Sequence, residues 1–420
     1  MRRLLTALLT RASFSAHAMT DSNMIVAKGV RRKTPLYPPV AETVRGLTAF
    51  GHALFTETTA PGANAVLSPL SIGYAFGMAR AGATGGAAAD LDRVFGFPVQ
   101  GPHTSLNALT RRIVTVGGPP PRTEPGVERD ARAKPEPPVV AIAGGLFTQK
   151  GLSVQREFLR TLAAQYGTGV RQVDFTQDAA QVIDAWAERE TAGRIRKVFD
   201  DLAPQTLLVI ANTVYLNAEW ETPFTGPSER NAAFTRADGS AVRTDLIRHT
   251  GSLPYAAGEG WQAVELRYVK GELAMWVLLP QAGGSPAGLL APEMMAQVAA
   301  GLRERQVEIA IPRWDFSTSL DLMKSLFGLG LTRTDYSGIA DDVDLDLTQA
   351  VHHATVTVDE WGTEAAAVTA LDLGYTGPPA PEPEVEVEVR ADRPFAFAII
   401  HRPTLTPLFI GQVTDPTAKG

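Results

Sequence analysis

The spacing of apolar residues changes along the chain, from helical periods in the first half to strand alternation in the second, and this limits the fold more than any other feature. Within 40–57, Val44, Leu47, Phe50, Leu54 and Phe55 recur at the intervals of one helix face. Residues 64–71 begin extended and enter a small-residue helix over 72–81; after the turn at 82–86 a second helical pattern covers 87–95. Residues 155–166 and 179–191 are helical, the latter ending at Gly193. Strand character marks 139–147 and 207–216, and Asp238-Gly239 signals a hairpin within 234–242. Further strands are expected at 264–266, 273–279, 307–311, 395–400 and 408–413, with alternation at Ala354, Val356 and Val358 and a helix over 320–329. The expectation is an α+β fold with large sheets and no internal repeat.

A 420-residue chain that is 45% apolar has enough material for a substantial core. Its net charge of −6 comes without a long basic run, which argues against a nucleic-acid partner, and Arg111 and Arg112 are a lone pair that supports no polyanion site. The chain has no cysteine, which removes disulfides, thiolate catalysis and cysteine-based zinc sites. No stretch approaches the length of a membrane span, so no membrane association is expected. At the start, Arg2 and Arg3 precede Leu4, Leu5, Leu8 and Leu9, and Ala16-His17-Ala18 loosely resembles a cleavage site, but Arg11 interrupts the region. A weak export signal and an untrimmed start ahead of Met19 or Met24 both fit, so the compartment stays open. Residues 1–38 are read as a flexible extension or weak signal, and 39–417 as one domain. Residues 117–138, with seven prolines among charged residues, are read as a solvated surface insertion.

Enzyme constellations are missing. There is no HExxH, no Walker loop and no GxGxxG, and Gly283-Gly284-Ser285-Pro286-Ala287 lacks the second glycine of a nucleophile elbow. His352 and His353 are adjacent on a strand and point to opposite faces, a poor chelating pair. Ser68, Ser71 and His352 are read as buried hydrogen-bonding groups rather than triad members. No metal or cofactor is implied.

Residues 359–376 admit two conformations. By propensity they are helical, with Thr363 as N-cap, Ala365, Ala366 and Ala367 as helix formers and Gly374 as stop. As a strand, one face carries Thr363, Ala365, Ala367, Thr369, Leu371 and Leu373, all small or apolar, and the other carries both charges, Glu364 and Asp372. Such a segment serves as a surface element in one state and as a half-buried strand in another, and small side chains at its front end let it slide between existing strands.

Here the sequence resembles the serpins, over most of its length. The stretch from Asn64 to Ser71 with its helix, Gly82-Ala83-Thr84-Gly85, Leu146-Phe147, Tyr166 to Phe175, and Trp186 to Ile195 each resemble that family's motifs in order. So do the run from Ala211 to Phe224, Ala391-Asp-Arg-Pro-Phe395, and the run from Leu408 to Pro416. The resemblance implies three β-sheets with eight or nine helices, and an exposed reactive-centre loop at about 360–394. It also implies a monomeric inhibitor whose partner is a target serine protease, captured covalently. Glu360, Gly362, Thr363, Glu364, Ala365, Ala366, Ala367 and Thr369 match the family's hinge. Ser68, Ser71, Asn212 and His352 match the polar cluster under the opening sheet, and Trp220, Arg313 and Glu360 the region where insertion begins. Fourteen residues at about 3.3 Å each give roughly 45 Å of travel, enough to carry a bound enzyme to the far pole.

Counting from the hinge as in the family places the cut at Thr376-Gly377, with Tyr375-Thr376 one residue away; counting back from Pro394 places it near Pro383. No Lys or Arg lies between Trp361 and Val389, which disfavours a trypsin-like target. Tyr375 or Leu373 suits a chymotrypsin- or subtilisin-like pocket, and Thr376 an elastase-like one. Residues 377–388, with four prolines and four glutamates, are read as solvated slack or as a tract that repels or selects proteases. Trp361 departs from the family's charged or polar residue, and its bulk could slow entry. A non-inhibitory serpin acting as carrier, chaperone or interaction protein is the alternative.

Overall fold

The computed structural model describes residues 23–122, 135–200, 202–333, 335–340, 343, 345–364 and 384–418. Residues 1–22, read as a weak export signal or an untrimmed start, the middle of the Pro-rich insertion and most of the bait loop lie outside them.

Eight α-helices stand among the described residues: α1 (Val40–Thr58), α2 (Pro69–Arg80), α3 (Gly85–Phe95), α4 (His103–Ile113), α5 (Arg156–Thr161), α6 (Ala179–Glu190), α7 (Pro292–Gly301) and α8 (Leu322–Gly328). None is long and apolar enough to cross a membrane. α5 continues into a π-turn, Leu162–Tyr166, closed by Gly167 at φ 69°. α2 begins because Ser68 caps it, its side chain accepting the Ser71 N–H at 3.2 Å, with Pro69 at the first helical position. Every residue from Pro69 to Ala79 is buried, as expected of a helix that is apolar all round. α2 touches one sheet on one side and the other sheet on the other.

The first sheet runs in the order β1 (Met24–Ile25), β4 (Val170–Val173), β3 (Val139–Gln149), β5 (Leu208–Glu219), β13 (Gly362–Thr363), β12 (Gln349–Val358), β11 (Trp314–Asp321). The second runs β14 (Val387–Arg390), β10 (Arg303–Pro312), β7 (Ala241–Gly258), β8 (Trp261–Arg267), β9 (Leu273–Pro280), β15 (Phe395–His401), β16 (Thr406–Val413), β2 (Ala65–Leu67), with β6 (Glu229–Thr235) paired to β7. The main core fills the space between the sheets, around α1 and α2. A smaller core seals α6 onto the outer face of the first sheet, where Phe147 meets Trp186 edge-on at 5.4 Å between ring centres.

The α+β class holds. Among the described residues the three expected sheets form two hydrogen-bonded units, because the 18-residue β7 is shared by two of them. Other expectations are corrected. The helix read over 320–329 starts at Leu322, since Leu320 and Asp321 finish β11. The loop expected over about 360–394 is shorter at both ends. Gly362 and Thr363 already lie in the first sheet, and Val387 to Arg390 pair in parallel with Val307 to Ala310. Residues 387 and 388 are therefore strand rather than slack: Val389 is fully buried, and alternation with Val387 seats them against β10.

Candidate functional site

The first sheet forks. β5 and β12 pair directly and in parallel from Val209–Gln349 to Thr213–His353, and the rungs then stop. Beyond that point the two strands part, and at the far end β13 stands between them. Gly362 and Thr363 face Glu219 and Ala218 on one side, and Thr363 faces Val358 on the other. Gly362 is required there, because a Cβ at this position would sit 2.1 Å from the Ala218 carbonyl oxygen. A one-turn hairpin returns the chain from β12, with the Asp359 N–H donating to the Gly362 carbonyl at 3.1 Å. Asp359 itself accepts the N–H groups of Trp361 (2.7 Å) and Gly362 (3.1 Å). Burial nevertheless pushes its carboxyl up to about 6.

At the crotch of the fork lie Ser68, Ser71, Asn212 and His352, all buried. Asn212 and His352 are partners in register on the next-to-last rung. His352 Nε2 accepts the backbone N–H of Ser68 at 3.1 Å, so the ring proton sits on Nδ1 and is donated to Asn212 Oδ1 at 2.6 Å. Ser71 Oγ donates to the same Oδ1 at 3.3 Å, and Asn212 Nδ2 donates across the seam to the Val351 carbonyl at 3.3 Å. The cluster therefore ties β5 to β12 and both to the start of α2. Burial, with His353 beside it, drives the His352 pKa down to about 3, so the ring is neutral. His353 projects to the other face and meets Ser319 Oγ at 3.0 Å.

At the open end, Trp220 stacks on Tyr268 at 4.5 Å and 13°, and the Tyr268 hydroxyl is 2.6 Å from Thr363 Oγ1. Trp220 Nε1 donates to the Asp359 carbonyl at 3.0 Å and its backbone N–H to the Trp361 carbonyl at 2.8 Å. Arg313 forms a two-pronged pair with Glu360, Nε to Oε2 at 2.8 Å and Nη2 to Oε1. The guanidinium is 44% exposed, so this pair is worth under about 1 kcal/mol.

Glu364 is the largest departure from the sequence expectation, which places it on the charge-bearing outer face. That face is covered by the segment after α6, and Glu364 is 5% exposed. Its backbone takes φ 57° as its N–H donates to the Thr357 carbonyl at 2.9 Å. Arg194 Nε lies 3.5 Å from Oε2, an oxygen that receives no hydrogen bond. Burial raises the carboxyl to about 7 despite Arg194, with Asp315 adding to the rise. An acid with a raised folded pKa stabilises the packed state fully below its unfolded pKa, and this contribution is lost as pH climbs through 4.5 towards 7. Glu364→Gln is therefore expected to match the parent at pH 4.5 and to melt higher at pH 8, by up to roughly 3 kcal/mol. Paired thermal melts at the two pH values check this; a variant that is not stabilised at pH 8 refutes it.

Of the hinge residues read from sequence, Glu360, Gly362, Thr363 and Glu364 converge on the fork. Ala365, Ala366, Ala367, Thr369 and the bond candidates Tyr375, Thr376 and Gly377 lie outside the described residues. Sequence reasoning missed Asp359, Tyr268 and Arg194. Asp359, at the head of a turn-forming Asp-Glu-Trp-Gly run, carries a local signal; the other two are brought in by tertiary packing alone.

Residues 45–416 match the family model described as serpin (serine protease inhibitor). An uncharacterised serpin-like protein of Thermococcus kodakarensis is 31% identical over 382 residues, covering 89% of this chain and 85% of that protein. The native-state crystal structure of tengpin, a thermophilic serpin, superposes with a TM-score of 0.76 at 22% identity, over 94% of this chain and 98% of that one. Human thyroxine-binding globulin, complexed with thyroxine, gives 0.75 at 23% identity, over 90% and 100%.

Proposed function

The chain belongs to the serpin family, and on that premise we propose that it inhibits a serine-type endopeptidase as a suicide substrate. The observation that carries this reading is the fork, with Gly362 and Thr363 standing between β5 and β12 above a stretch of unpaired rungs. A strand entering there gains backbone partners on both sides and needs only the crotch to part. In this reading a protease attacks the loop at Thr376-Gly377, or at Tyr375-Thr376, and forms an acyl-enzyme. The freed loop zips into the fork from Thr363 onward, carrying the enzyme with it before deacylation. Loop insertion is the serpin family's own general mechanism, carried over to this chain from the family rather than deduced from these residues alone. Ser68, Ser71, Asn212 and His352 control the parting of the strands. Trp220, Arg313 and Glu360 hold the entry point, and Trp361 adds bulk beside it. The missing cation between Trp361 and Val389 favours chymotrypsin-, subtilisin- or elastase-like targets.

A second reading, a carrier, is favoured by one feature. A cleft of about 410 Å³ between the end of α7 and the second sheet has Trp276 and Ile400 on its walls and Arg267, Arg402 and the buried Glu265 as polar groups. Incubation with chymotrypsin, subtilisin and elastase separates the two. Inhibition predicts a protease complex that survives denaturing electrophoresis and a released peptide whose mass locates the cut. Cleavage without a complex, together with unchanged heat resistance of the cleaved chain, would favour the carrier.

A further inference from the structure

Residues 23–33 cross from the edge of the first sheet to the helices beside it. Asn23 accepts the Gln172 N–H at 2.9 Å, and Met24 and Ile25 pair antiparallel with Arg171 and Val170 of β4. Gly169 comes so close that a Cβ there would meet the Ile25 carbonyl oxygen at 2.0 Å. The chain then leaves the sheet, turns at Lys28-Gly29 with Gly29 at φ 76°, and docks again. Lys33 donates its N–H to the Ala164 carbonyl at 2.7 Å. Arg32 Nε reaches Asn107 Oδ1 (3.0 Å) and the Gln165 carbonyl (3.2 Å), and its Nη2 reaches Thr110 Oγ1 at 2.6 Å. Asn107 Nδ2 returns a bond to the Lys33 carbonyl at 3.0 Å. Ala164 and Gln165 lie in the last turn of the π-helical segment Leu162–Tyr166, where carbonyls lack partners within the helix, so residues 23–33 cap it. Residues 23–41 and 93–123 contain no acidic residue, and the acceptors holding Arg32 are neutral.

We propose that residues 23–33 form a clasp restraining the β4 edge of the sheet, and that the Lys28–Gly29 bond is a processing site at which a trypsin-like protease opens it. This rests on the reading that the sheet parts between β5 and β12. In that movement β5, β3 and β4 shift as a block, and β1 ties the block through six residues to Arg32, which is held by Asn107 and Thr110 of α4. Lys28 and Gly29 are exposed at the turn, whose own closing contact, Val30 N–H to the Ala27 carbonyl, is a long 3.4 Å. Arg31 by contrast abuts Arg32, and Lys33 is bonded through both its N–H and its carbonyl. A lysine at the cut fits an Asp-lined pocket, the class of protease that the bait loop does not suit. One water adds across the amide, leaving a carboxylate on Lys28 and an amine on Gly29. β1 then has two paired residues and no tether, and a two-residue strand without its effective concentration dissociates.

The test uses the full chain under brief, dilute trypsin. A new amino terminus at Gly29 is expected, followed by uptake of a synthetic peptide of residues 363–376, read by native electrophoresis, at least tenfold faster than in uncut protein. Arg32→Met, uncut, is expected to speed uptake as well, and Lys28→Gln to stay slow after trypsin. A first cut elsewhere, or equal uptake by cut and uncut chains, overturns the clasp. Uptake by no form overturns the sheet-opening reading on which it rests, an outcome distinct from equal uptake.

Discussion

Thr363→Arg is expected to abolish the protease complex while leaving the chain cleavable, turning inhibitor into substrate. Thr363 is 2% exposed, and its hydroxyl meets Tyr268 between two strands. It is also the first residue through which any longer insertion must pass. An arginine there would have to bury a guanidinium where Tyr268 offers one hydroxyl and no carboxylate stands opposite. An uncompensated buried charge costs about 3–5 kcal/mol. If that falls on the transition state for insertion, entry slows by roughly a hundred- to several-thousand-fold. Deacylation keeps its own rate, so the outcome is decided by a race that insertion now loses. Titration of inhibitor against active protease should shift from near one molecule per enzyme to tens or more, with the denaturation-resistant band gone and the cut unchanged. Thr363→Ser, which keeps the hydroxyl, should inhibit nearly as the parent does. A Thr363→Arg chain that still traps protease at the parental ratio would rule out entry through this fork.

How far the sequence foretells this site depends on which interactions are local. The alternating faces of 363–373 put Thr363 inward, and the structure agrees, because a strand's period of two is set by its own backbone. The same alternation puts Glu364 outward and says nothing of the segment after α6 that covers it, a contact made by residues 170 positions away in the chain. Propensity reads a helix from Thr363; ladder bonds to two neighbouring strands override it at Gly362 and Thr363. The strand Trp314–Asp321 escapes a reading by periodicity although Trp314 and Phe316 alternate with Asp315 and Ser317, because its far half is polar. Helices α4 and α7 also escape it, although Leu106, Leu109 and Ile113 in α4, and Met295 and Val298 in α7, keep helical spacing; with so few large apolar residues and no side-chain cap, the signal is short and easily passed over. The hydrogen-bond partners Asn212 and His352 lie 140 positions apart, and only parallel pairing of β5 with β12 sets them side by side.

That pairing makes His352 the residue whose loss should most loosen the seam. His352→Phe fills a similar volume but leaves the Ser68 N–H without an acceptor and deprives Asn212 of the Nδ1 proton. Asn212 Oδ1 keeps the Ser71 hydroxyl, so the Ser68 N–H is the group left unsatisfied, and the change should cost about 1–3 kcal/mol. In a fold held by a barrier, this appears as faster opening as well as a lower melting point. An opened fork exposes unpaired edges that accept a strand from another molecule, so the variant should also associate on warming. The parent has a related weakness at low pH. A histidine whose folded pKa is depressed to about 3, against 6.5 for the free ring, contributes stability that is fully present above 6.5 and is lost as pH falls towards 3. At pH 5 the loss from this one ring is roughly 2 kcal/mol. Since phenylalanine cannot take up a proton, the gap between parent and variant should be widest at pH 8 and narrow by about that amount at pH 5. Unfolding rates measured at the two pH values decide it: a gap that stays constant would mean that His352 does not sense the proton, and that the crotch of the fork is held by packing rather than by this network.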